Sequence, residues 1–115
     1  MDNLDQIRAQ NALAAKPREQ KKHVTKLPAL IVNNGLLAAA AFCDDKSAEL
    51  RTAMDTVAEH LADRRIGRLT NATTAAAMVQ ELSAAGVSSE QLRLATAEAL
   101  AYLSYLKRFA EDKRA

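Results

Sequence analysis

Apolar residues return every three or four positions through most of this chain, and proline, glycine and capping residues cut that rhythm into about six helical segments. Asp2 or Asn3 can cap a first helix that runs to about Ala15, and Pro17 suits the first turn of a second that lasts to about Leu27. Pro28 opens a third, PALIVNNGLLAAAAFC, apolar around almost its whole circumference apart from Asn33 and Asn34, which marks it as a central, buried element. Within it Gly35 is expected to let a neighbouring helix approach closely, and Asn34 to be a buried amide that hydrogen-bonds across the bundle. Ser47 opens a fourth helix in which Leu50, Met54, Val57 and Leu61 share one face, with Gly67 as its C-terminal cap. After a polar loop, RLTNATT, a fifth helix uses Met78, Val79 and Leu82 and stops at Gly86. Ser88 and Gln91 form a capping box for the last and longest helix, whose stripe is Leu92, Ala95, Ala99, Leu103, Leu106 and Ala110, with Tyr102 and Phe109 at its edges.

Composition agrees with the periodicity. Twenty-five alanines and fifteen leucines stand against five valines, three isoleucines and four aromatic residues, a balance that favours helix and starves strands. The expectation is an all-α fold, a compact single-domain bundle of about six helices over residues 1–115. A content of 49% hydrophobic and 26% charged residues is ordinary for a globular protein, which excludes a disordered tail. The longest apolar run, Gly35 to Cys43, is about half of what a bilayer-spanning helix needs. MDNLDQIRAQ lacks the bases and the apolar stretch of a secretion leader, and the single Cys43 cannot form an internal disulfide, so a cytoplasmic location is expected.

Catalytic chemistry is sparse. His23 and His60 have no neighbouring nucleophile, and His60, beside Glu59, reads as a surface histidine. Cys43 ends an apolar stretch and reads as a buried, inert thiol. Asp55, Glu59 and Asp63 recur at four-residue spacing and read as a solvated acidic face ahead of a weak cation site. No phosphate-cradling glycine loop is present, so no cofactor, metal or enzymatic activity is expected.

Charge placement says more than the formal net of +2. Between Lys16 and Lys26 five bases face the single acid Glu19, a local net of +4. On a helix Arg18, Lys21, Lys22 and Lys26 fall within an arc of about 140°, opposite Val24 and Leu27. Such a stripe can follow a phosphate backbone without reading bases. With few aromatics there is no stacking platform for single strands. From Asp44 to Asp63 six acids outweigh two bases, a local net of −4. Asp55, Glu59 and Asp63 lie opposite the apolar face and are expected to point outward as a contact for a further copy.

KLPALIVNNGL at Lys26 to Leu36, followed by AAAAF, resembles the hallmark of the small subunit of type III-B CRISPR effector complexes, the Cmr module. QLRLATAEALAYLSYLKRFAE at Gln91 to Glu111 is similar to that family's last helix, and Arg8 and Ala9 also fit its pattern. The sequence departs from it where Tyr105 replaces a common tryptophan and Leu92 a common tyrosine. The resemblance implies a non-catalytic building block for antiviral defence, several copies stacking beside larger backbone subunits along guide RNA and target RNA. It makes Lys107 and Arg108 candidates for RNA or partner contact, against a solvated face in which Lys107 pairs with Glu111. The expected RNA contacts are Arg18, Lys21, Lys22 and Lys26, with Arg8, Lys107 and Arg108 as further ones, and the isolated chain is expected to be a monomer. The competing readings are a helical adaptor that binds protein alone and a small nuclease, which salt-sensitive RNA binding and metal-dependent turnover would separate.

Overall fold

A computed structural model describes residues 3–111. Seven α-helices make up the fold, and no strand occurs among the described residues. They are α1 (Leu4–Ala14), α2 (Lys21–Val24), α3 (Leu27–Asn34), α4 (Leu36–Lys46), α5 (Ala48–Ala62), α6 (Ala75–Leu82) and α7 (Ser89–Ala110), with a 3-10 turn at Pro17–Gln20 ahead of α2. The long α7 is the axis of the bundle and touches α1, the 3-10 turn, α2, α3, α4 and α5, while α4 packs between α5 and α6. No described helix is long and apolar enough to cross a membrane.

Caps account for most helix starts. Asn3, not Asp2, which lies outside the described residues, closes a reciprocal box with Gln6, and Ser88 does the same with Gln91 at the head of α7. Ser47 accepts from the Leu50 amide at 3.1 Å and Thr74 from the Ala77 amide at 3.1 Å, so α5 and α6 begin on side-chain caps. The expected stripes are buried, with Val79 and Leu92 only half so: Leu50, Met54, Val57 and Leu61 on α5, Met78 and Leu82 on α6, and Ala95, Ala99, Leu103, Leu106 and Ala110 on α7. Cys43 is buried as expected, and burial pushes its thiol up to about 11.

Five expectations need correction. The apolar segment after Pro28 is two helices, because Gly35 adopts φ +85 and ψ 159 and ends α3. A Cβ built on Gly35 would meet nothing within 4 Å, so the glycine serves the backbone angle and not a close helix approach. Asn34 is exposed and donates from Nδ2 to its own Leu30 carbonyl at 3.1 Å, so it makes no bond across the bundle. The segment from Pro17 to Lys26 is a 3-10 turn followed by one turn of α-helix, reached through Lys16 in the left-handed region at φ +53. Gly67 does not cap α5, which ends at Ala62; it closes a separate turn by donating to the Asp63 carbonyl at 2.8 Å.

Candidate nucleic-acid interface

The short segment from Pro17 to Leu27 carries the cationic stripe, and its apolar residues decide which way the bases point. Pro17, Val24 and Leu27 are buried, the last two completely, and pin the segment against α7 and α5. Arg18, Lys21, Lys22 and Lys26 are left exposed, although the single helix that would set them on one arc is broken into a 3-10 turn, the short α2 and the start of α3. Lys21, Lys22 and Lys26 make no ion pair within the described residues. Three uncompensated ammonium groups on a rigidly held turn and its exit form a surface that attracts phosphates and gives no base-specific contact. Lys107 and Arg108 are exposed in the last turn of α7, and Lys107 does not pair with Glu111 among the described residues.

Arg8 is placed differently. Its Nε and Nη2 donate to the two carboxylate oxygens of Glu98 at 2.8 and 2.7 Å, and its Nη1 donates to Asp5 at 3.2 Å. This two-pronged bond ties α1 to α7 and raises the guanidinium further above its ordinary value, chiefly through the Glu98 hydrogen bond.

Glu98 also anchors His60, which is 2% exposed and not on the surface as its charged neighbour suggests. The ring of His60 lies flat on Tyr102, centroids 4.0 Å apart and planes within 6°, with Nε2 2.9 Å from Glu98 Oε2 and Nδ1 3.0 Å from Asn11 Nδ2. Asn11 donates its second amide hydrogen to Asp63 at 3.1 Å, which fixes the amide orientation. His60 Nδ1 is therefore an acceptor and Nε2 carries the proton that Glu98 receives. Tyr102, expected at an edge of the α7 stripe, is fully buried and donates its hydroxyl to the Asn11 carbonyl at 3.3 Å. Burial lowers the His60 imidazole, and the Glu98 hydrogen bond only partly opposes it. Burial pushes the Glu98 carboxyl up, but hydrogen bonds from Arg8 and His60 outweigh it and hold the group ionised below its ordinary range.

The acidic trio does not face outward together. Asp55 Oδ1 accepts from the Ala75 amide at 2.7 Å, holding the head of α6 against α5. Asp63 accepts from the Arg65 side chain at 2.8 and 3.1 Å, from the Arg65 amide at 2.9 Å and from Asn11; the Arg65 hydrogen bond is the largest cause of its depressed carboxyl. Only Glu59 is exposed, raised first by partial burial and then by the charge of Asp55. Among the described residues no three metal-ligating side chains gather.

The part-buried pair joins Arg8, near the start of the chain, to Glu98, inside the block Gln91–Glu111, so two separated parts of the sequence pattern meet in space. A family model described as CRISPR-associated protein (Cas_Cmr5) matches residues 2–112. The chain belongs to this family. It is a small subunit of type III-B CRISPR effector complexes. No curated protein and no solved structure matches it. Within this Cmr5-family fold the hallmark KLPALIVNNGL contains all of α3 and the Gly35 elbow, and the second block contains all but the first two residues of α7. The motif thus records a helix break and a bundle axis.

Proposed function

We propose that this Cmr5-family chain is a non-catalytic structural subunit that holds an RNA backbone through Arg18, Lys21, Lys22 and Lys26, with Lys107 and Arg108 as secondary contacts. The observation that carries the reading is the exposed, unpaired trio Lys21, Lys22 and Lys26 on a segment anchored by Pro17, Val24 and Leu27. Base pairing between guide RNA and target RNA reads sequence in such complexes, so the subunit needs only backbone contact and a fixed position beside the larger subunits and further copies of itself. Arg8 has its guanidinium committed to Glu98 and Asp5 and supports the fold in place of RNA. No chemistry is assigned to the cysteine or to His60: the Cys43 thiol is buried and raised, and both His60 nitrogens are engaged. The protein acts in the cytoplasm and is monomeric until RNA and larger subunits align its copies, since exposed ion pairs contribute only about 0 to 1 kcal/mol each.

The test is binding of the isolated protein to a short unstructured RNA as salt is varied. Neutralising about three phosphates gives a log-log salt slope near −2. K21E/K22E/K26E abolishes binding at unchanged helicity, and the RNA emerges uncut. Binding that survives the triple change, or ignores salt, overturns the reading.

A further inference from the structure

The N-terminal helix is fastened unlike the rest of the bundle. α1 buries two side chains, Ile7 and Ala12, where α5 buries seven, and only Ala12 belongs to the continuous core. What holds α1 is polar. Arg8 grips Glu98 with two bonds, Asn11 donates to His60 and to Asp63, Tyr102 donates to the Asn11 carbonyl, and Arg65 donates to Gln10 at 3.0 Å. A cleft of about 180 Å³ lies in this joint, with Asn11 and Ala14 on one side and Thr56, Glu59 and His60 on the other, so close packing does not seal it. The root of the helix is held separately. Gln20 donates to the Ala15 carbonyl at 2.7 Å, Pro17 is buried, and Lys16 between them turns the chain at φ +53. α1 can therefore leave its seat without pulling the 3-10 turn from the bundle.

The joint accepts one charge state of His60. With Nε2–H given to Glu98, Nδ1 accepts from the Asn11 amide, whose second hydrogen serves Asp63. A proton on Nδ1 sets donor against donor. Turning the amide over offers Nδ1–H an oxygen, but that oxygen then faces the Asp63 carboxylate, which loses its donor. No orientation of Asn11 suits both a doubly protonated ring and Asp63. The other groups facing the ring do not resolve the conflict. Glu98 on α7 favours the added charge but is held by Arg8, which also pairs with Asp5 and whose own charge opposes it. Tyr102 lies flat on the ring as a neutral phenol, Asp63 is occupied by Arg65, and Glu59 stands exposed at the cleft. Removing α1 lets water take both roles of Asn11.

We propose that α1 is a proton-released latch: when His60 takes a second ring proton, α1 undocks from α5 and α7, pivoting at Lys16, while the remaining helices stay packed. Release uncovers the α7 surface around Glu98 and Tyr102. An eleven-residue helix is marginal alone, so the freed α1 also frays. Docked, the buried ring takes its proton only below the ordinary value of 6.5; undocked, it takes it at that value, so acid favours opening. The gain is at most about tenfold per pH unit and begins near pH 6.5, above the range in which the depressed Glu98 and Asp63 carboxyls contribute.

Native-state hydrogen exchange of the full chain, followed by NMR in low urea at about pH 7.5, 6.5 and 5.5, tests this. Amides of α1 exchange through an opening of lower free energy and weaker urea dependence than those of α5 and α7, and their protection falls severalfold from the highest pH to the lowest. H60Q, which cannot take the proton, removes the fall. In N11D the new carboxylate accepts from the protonated ring, so α1 gains protection as pH drops, a reversal that a merely weakened joint does not give. N11D decides the matter alone if H60Q does not fold. Exchange of α1 together with α7 at every pH, α1 protection that ignores pH in this window, or a wild-type fall in either variant overturns the latch. No RNA enters the test, so the latch and the RNA reading fail separately.

Discussion

His60 and Glu98 show how a single residue can be legible in one respect and hidden in another. The charged neighbour Glu59 points His60 toward solvent, yet its spacing of seven from Ala53 and three from Val57 places it on the buried face of α5. Polar type outweighs phase in a first reading, and only the partners, an Asn from α1 and a Glu from α7, make burial tolerable. Removing one member should therefore cost more than the pair is worth. R8M strands the Glu98 carboxylate, itself 7% exposed, and should lower unfolding free energy by about 3 kcal/mol, part of it recovered in R8M/E98Q, which removes the stranded charge and leaves an oxygen to accept from His60; denaturant titration of both variants measures this. Acid acts on the same cluster. His60 titrates in the fold below its ordinary value of 6.5, so the unfolded chain takes the proton first, and this contribution is full above about pH 6.5 and lost as pH falls through the folded value. The depressed Glu98 and Asp63 carboxyls add a second loss at lower pH, starting in the ordinary carboxylate range. Urea midpoints followed downward from neutral pH should decline in these two stages, and H60Q should lack the first.

At the scale of elements most capping residues and apolar stripes are legible, because each rests on local chemistry: Ser47 and Ser88 cap, and α7 buries its expected stripe from Ala95 to Ala110, whereas the Thr74 cap is hidden in a polar loop. The break inside the central apolar segment was masked by composition, since a segment apolar all round has no polar face to lose phase. The buried positions mark the break: they run Leu27, Ile31 and then, after five residues, Leu36, a step of about 140° out of register with a continuous helix. Gly35 makes that step possible at φ +85. G35A meets no steric obstacle from its neighbours at its new Cβ, so its cost is the backbone angle alone, about 1 to 3 kcal/mol for a positive φ with extended ψ. The expected result is a lower denaturation midpoint with nearly unchanged helical circular dichroism. A large gain in helicity, as from a fused α3–α4 rod, would contradict the elbow.

For the whole molecule, a nearly balanced net charge hides two surfaces of opposite sign, and sequence showed their existence better than their use. The four bases are exposed although their segment is not one helix, because buried Pro17, Val24 and Leu27 leave them no other side. The layout of the acidic surface is hidden in the sequence because a carboxylate's partner is a tertiary fact: Asp55 is spent on α6 and Asp63 on Arg65 and Asn11, which leaves Glu59 as the exposed member of the three. If RNA affinity came from net charge, any change that restored the balance would restore binding; if it comes from the stripe, position decides. K21E/K22E reverses two bases, and adding D45K and E59K returns the formal charge to +2 while moving the positive charge to the end of α4 and to α5. All four positions are exposed, so stability should stay within about 0.5 kcal/mol. Local phosphate contact predicts that RNA binding stays weakened in the charge-restored quadruple variant and that its salt slope is shallower than the wild type's by about 1.4, two contacts fewer on a single strand. Filter binding across a salt series reads both quantities, and recovery of wild-type affinity would transfer the interaction from the stripe to the charge of the molecule as a whole.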